Sequence, residues 1–116
     1  MRRALWFLVL LCASCAGDDV DPCLDTPTYE RGVRDVLDEK CTDCHHTSKM
    51  GLDRNGAPDA LNFDDYATLA NDVSAIAEAI TSGRMPPRGD PEAPPGTTDT
   101  ERDLVQDWRR CGFPED

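Results

Sequence analysis

The apolar residues of this chain fall into three helical stripes, and the chain between them is long and irregular. Tyr29, Val33, Val36, Leu37 and Cys41 lie at i, i+4, i+7, i+8 and i+12, one face of a helix, with Thr26 or Thr28 as a candidate cap. Val73, Ile76, Ala77 and Ile80 mark a second helix, started by Asn71 or Asp72 and stopped by Gly83. Leu104, Val105, Trp108 and Cys111 mark a third over 99–111, opened by a Thr98–Glu101 capping box and closed by Gly112 and Pro114. A short helical turn is expected over 64–69. No segment alternates with period two, so an all-α fold without a sheet is predicted. The two connections, 45–63 and 83–98, are rich in turn formers, the second holding five prolines and three glycines. Only 6% of residues are aromatic. A single small domain with this much irregular chain cannot fill a core from three modest helices. A large apolar group from outside the sequence is therefore expected inside it.

The first residues read as an export signal and not as fold. Met1-Arg2-Arg3 supplies positive charge, residues 4–11 (ALWFLVLL) are an unbroken apolar run, and small residues follow at Ala13, Ser14, Ala16 and Gly17. The run is too short to span a membrane. Cys12-Ala13-Ser14-Cys15 resembles the lipobox of bacterial lipoproteins, with Cys12 where the pattern has an aliphatic residue. That resemblance implies cleavage before Cys15, a lipid on Cys15 and attachment to a membrane surface without a span; simple cleavage after Ala16 is the alternative. The expected organisation is a signal over 1–14, an acidic tether over 15–27 with two prolines, and one domain over 28–116. Loss of Arg2 and Arg3 takes the formal charge from −11 to −13. Such a chain repels nucleic acid and attracts basic surfaces.

The six cysteines sort by position. Cys12 leaves with the signal and Cys15 is the lipid site. Cys41 and Cys44 belong to one motif. Cys23 and Cys111 remain, one near each end of the mature chain, and an exported compartment permits a disulfide between them. Two free thiols, with Cys23 part of the tether, is the competing view.

Cys41-Thr42-Asp43-Cys44-His45 is C-x-x-C-H, the attachment signature of c-type haem. Two thiols at this spacing can add to the two vinyl groups on one side of a porphyrin, and the adjacent imidazole then reaches the iron. The rivals lack their contexts. A thioredoxin-like dithiol needs a βαβ setting. A zinc site needs a second ligand pair, which Cys23 and Cys111 do not form by spacing. A Cys41–Cys44 disulfide would close a tight, strained loop.

Downstream, Gly83-Arg84-Met85-Pro86-Pro87 lies in a proline-rich stretch after a helix, with Met85 40 residues beyond His45. With this pairing, residues 28–114 resemble the class I cytochrome c family. The run TDTERDLVQDWRRCGFP over 98–114 looks like the closing helix of bacterial secreted monohaem cytochromes. The resemblance implies one covalent haem c held at Cys41 and Cys44, with His45 and Met85 as its axial ligands. A thioether is a soft, neutral ligand that favours Fe(II) and raises the potential, and the prolines reduce the ordering cost of holding it. The resemblance also implies that the first and last helices cross, bringing Tyr29, Val33 and Leu37 to Leu104, Val105 and Trp108. In such a crossing the ends carrying Cys23 and Cys111 come within bonding range. One departure is visible: the family often has glycine eight residues before the first haem cysteine. Val33 stands there with Gly32 adjacent, and a wider or rotated crossing is expected.

Weaker features complete the reading. Arg84 and Arg88 flank Met85 as candidate partners of haem propionates, or as solvated arginines. Met50 is a second candidate ligand, only five residues from His45. His46 is a surface or propionate-adjacent histidine. Asp53, Asn55, Asp59, Asn62, Asp64 and Asp65 cluster in the first connection, but its glycine stands at the fourth and not the sixth position of a Ca²⁺ loop, so a solvated acidic loop is expected. The expected role is one-electron transfer between redox proteins with basic docking surfaces, in the periplasm or on the outer surface, without substrate chemistry. A haem-based ligand binder and a redox subunit of a larger oxidoreductase are the alternatives.

Overall fold

A computed structural model describes residues 20–91 and 93–116. Helix α1 spans Val33–Lys40, α2 Tyr66–Leu69, α3 Val73–Thr81 and α4 Asp99–Arg110, with a single 3-10 turn at Gly51–Arg54. Among the described residues there is no strand, and no helix is long and apolar enough to cross a membrane. The all-α class follows. The expected signal and the lipid site Cys15 lie outside the described residues.

Helix α4 is the centre of the fold and packs on both α1 and α3. Its N-terminus carries the expected capping box: Thr98 accepts from the Glu101 amide, and the Glu101 carboxylate accepts from the Thr98 amide at 2.6 Å. Its buried face, Val105 and Trp108, meets Tyr29, Val33 and Leu37 on one side and Ile76, Ala77 and Ile80 on the other. Trp108 is fully buried, and its indole N–H donates to the Pro114 carbonyl at 2.8 Å. The Asp65 side chain caps α2 by accepting from the Thr68 amide. Gly83, at φ 69°, ends the α3 region.

Helix α1 departs from expectation at its start. Its N-cap is Gly32, at φ 104° and without a side-chain cap, so neither Thr26 nor Thr28 has that role. Thr28 instead accepts from the Arg31 amide within a turn. The helical path is broken at Gly32, whose φ of 104° lies outside the right-handed region. The segment before it is tied to the C-terminal tail, the Tyr29 and Glu30 amides donating to the carbonyls of Pro114 and Glu115. Tyr29 still enters the core, donating its hydroxyl to the Phe63 carbonyl at 3.3 Å.

The chain just before α1 comes close to α4: a Cβ added to Gly32 would lie 3.1 Å from Leu104 Cδ1. Part of the expected tether is attached to the domain. Cys23 is bonded to Cys111 with Cα atoms 5.7 Å apart, and buried Thr26 donates to Cys111 Sγ at 3.0 Å. Residues 23–27 thus lie against the end of α4.

Candidate functional site

One cavity of about 410 Å³ opens between the end of α1, α3 and the two long connections. Cys41, Cys44, His45, Arg84 and Met85 all line it. The rest of the lining is mostly apolar: Ile76 and Ile80 from α3, Leu61 and Phe63 from the first connection, Pro86 and Pro94 from the second. The two long connections therefore supply much of the wall of an apolar chamber. They are joined to each other by Asn55, which donates to Asp90 at 2.7 Å.

The motif sits where α1 unwinds. The Cys41 amide closes the helix on Leu37, and the Cys44 and His45 amides turn back onto the Cys41 carbonyl. Both sulfurs and the imidazole thereby come from one turn. Cys41 is buried and Cys44 half-buried, and the two are not bonded to each other. Burial, and then Cys44, pushes the Cys41 thiol up to about 12.

His45 is fixed twice. Its ring stacks on Phe63 with centroids 4.4 Å apart and planes 14° apart. Its Nδ1 lies 3.1 Å from the Leu61 carbonyl, which can only accept, so Nδ1 carries the proton and Nε2 keeps the lone pair a metal needs. Burial holds the imidazole below its ordinary pKa, and the nearby Arg54 cation adds to this against the pull of the Leu61 hydrogen bond. The ring is neutral near pH 7, the state required of a ligand.

The other expected residues divide. Arg84 and Met85 reach the cavity, and Met85 remains 40% exposed at its mouth. Arg88 does not line it; its guanidinium lies over Gly83, 2.8 Å from where a Cβ would stand. Met50 is 77% exposed and away from the lining. His46 is partly exposed, bonded to Ser48 and 3.6 Å from Asp64. Trp108 belongs to the core and not to the cavity.

The first connection carries Asp53, Asn55, Asp59 and Asp65 exposed, as expected of a solvated acidic loop, but it closes on a buried cation. Arg54 is 2% exposed within it and donates to five backbone carbonyls and to Asn62 Oδ1. Asp64 takes the amide and hydroxyl of Thr47, and Asp65 caps α2. Arg54 and Lys40 also line the cavity, and neither stood out in the sequence. Lys40 is buried beside Glu39 at 2.8 Å and Glu101 at 3.7 Å.

These residues fit a haem of the c type: two thiols not bonded to each other, an adjacent imidazole with its distal nitrogen unprotonated, and an apolar chamber reached by a thioether. Compared with known proteins, the chain matches no protein-family model, no curated protein and no solved structure.

Proposed function

We propose that this chain is a one-electron carrier with a class I cytochrome c fold and one covalent haem c, and that it does not itself convert a substrate. The observation that carries the proposal is an apolar cavity lined by Cys41, Cys44, His45 and Met85 together. When bound, haem supplies a one-electron Fe(III)/Fe(II) couple. Cys41 and Cys44 would attach the group, and His45 and Met85 would hold its iron. The Leu61 carbonyl and the Phe63 ring hold His45 in its ligating tautomer and plane. Ile76, Ile80, Leu61 and Pro86 exclude water from the chamber. Arg84 is the propionate partner at its edge; Arg88, packed over Gly83, is assigned no contact with the group.

The formal charge of −11 selects redox partners with basic docking surfaces and disfavours nucleic acid. The apolar N-terminal run and the C-A-S-C junction support export to the periplasm or outer surface, with a lipid anchor on Cys15. The same features serve a free shuttle or a redox subunit of a larger complex. The deciding test is mass spectrometry of protein made in a host that attaches haem. One added haem that survives acid–acetone extraction is expected, and an extractable haem or none overturns the proposal.

The exposure of Met85 favours one second reading, a haem-based ligand binder whose sixth position is displaced. Carbon monoxide discriminates: an electron carrier of the proposed type keeps its reduced spectrum under the gas, and a ligand binder shifts it.

A further inference from the structure

We propose that Arg54 is a positioning residue for His45, fixing the carbonyl that orients the imidazole and raising the reduction potential of the group His45 ligates. The inference rests on the haem reading above. It starts from a buried cation that ion pairing does not explain. The Arg54 side chain is 3% exposed, and its carboxylate neighbour, Asp59 at 3.5 Å from Nε, is 94% exposed and screened by water. What holds the guanidinium is the loop. Nε donates to Ala57 O at 3.1 Å. One terminal nitrogen donates to His46 O at 3.0 Å, Lys49 O at 3.2 Å and Asn62 Oδ1 at 3.0 Å. The other donates to Pro58 O at 2.6 Å and Leu61 O at 2.9 Å. Residues 46–62 are wrapped around one planar donor.

The last of these contacts links the loop to the site. The Leu61 carbonyl oxygen has two lone pairs and two donors, Arg54 and His45 Nδ1. Arg54 thus locks the acceptor that locks the ring. Two electrostatic effects follow with the same sign. A cationic donor draws density from the shared oxygen, so the oxygen pulls less on the Nδ1 proton and the imidazole is a weaker electron donor. The fixed positive charge on the cavity wall also favours the reduced centre, which carries one positive charge fewer than the oxidised one. Both raise the potential. Lysine could not replace the fan, having three donors on one atom where arginine has five on a rigid fork.

The test uses the full haem-bearing chain with Arg54→Lys and Arg54→Met. Two quantities are read: the midpoint potential, and the exchange rate of the His45 Nδ1 proton by NMR of the reduced protein. Both variants are expected to exchange that proton at least tenfold faster than wild type, because the loosened loop opens the Leu61 contact more often although the contact is stronger while closed. Both potentials are expected to fall, that of Arg54→Met further. A merely structural arginine would lower the unfolding temperature and move neither quantity, so wild-type values for either readout in folded variants overturn the inference. If neither variant folds, Asn62→Ala, which removes one acceptor from the guanidinium, is read in the same way. There, faster exchange with a lowered potential supports the inference and unchanged values overturn it. A wild-type chain without covalent haem is a separate result: it overturns the electron-carrier reading and the inference with it. A haem-bearing wild type with unresponsive variants overturns the inference alone.

Discussion

Protonation and exposure at two residues decide what the site can do. His45 is held below its ordinary pKa by burial. Above about pH 6.5 it is neutral both folded and unfolded and adds no pH dependence. Below that value the unfolded chain binds a proton that the folded chain resists, so stability falls with pH until the depressed folded value is passed. Before haem attachment, the thermal midpoint should therefore fall more between about pH 7.5 and about pH 5 in wild type than in His45→Gln. Parallel curves from differential scanning fluorimetry would show that His45 is not buried as described. Met85 is the second residue. Its replacement by Ala should abolish the sulfur-to-iron charge-transfer band, lower the potential and open the iron to carbon monoxide. An unchanged oxidised spectrum would remove Met85 from the ligand set. Both residues could be read from the sequence, because C-x-x-C-H and M-P-P are local in the chain. Arg54 could not. A lone arginine among Asp53, Asn55 and Asp59 looks solvated, and only the folded loop shows five carbonyls turned onto it.

At the scale of elements, stripes of apolar residues and local caps were legible, and contacts made by the chain's tail were not. The three stripes appear as α1, α3 and α4, and the Thr98–Glu101 box is formed. Glu101 also faces Lys40, so one carboxylate both caps α4 and meets the end of α1. The tie of the segment before α1 to the tail was hidden, because Pro114 and Glu115, which take the amides of Tyr29 and Glu30, are some 85 residues away in sequence. The same entry makes Gly32 a critical position. It combines φ 104° with a Cβ site 3.1 Å from Leu104 Cδ1, a distance at which the leucine must give way. Gly32→Ala should cost about 1–3 kcal/mol by denaturant unfolding, chiefly backbone strain. Gly51 is a control, with φ 55° in the ordinary left-handed region and open space around its Cβ site. Gly51→Ala should cost about 1 kcal/mol. Equal costs at the two glycines would show that the α1–α4 approach adds nothing to the conformational term.

At the scale of the whole molecule, the protein must hold its core together without the group proposed to bind in the cavity. The buried apolar side chains form one core cluster, and the cavity shares Cys41, Phe63, Ile76 and Ile80 with it. The Cys23–Cys111 bond spans 88 residues and so brackets the core and the cavity in sequence. Chain-entropy estimates give about 4.5 kcal/mol for closing a loop of that length, less native strain. Small domains have about 5–15 kcal/mol in total, so the bond can account for a large share of the stability of the protein alone. On the proposed reading, haem bonded at Cys41 and Cys44 would add buried apolar surface that the unfolded chain cannot bury as well. The dependence on the disulfide should therefore be greatest before attachment. A Cys23→Ser/Cys111→Ser double variant should be largely unfolded by circular dichroism without haem and cooperatively folded with it. Serine at 111 also takes away the sulfur that accepts from Thr26. A Thr26→Val variant with the bond intact measures that smaller contribution, about 1 kcal/mol for a neutral hydrogen bond. If the double variant and Thr26→Val lose the same stability, the loop closure contributes nothing, and the 23–27 segment is held by its local contacts alone.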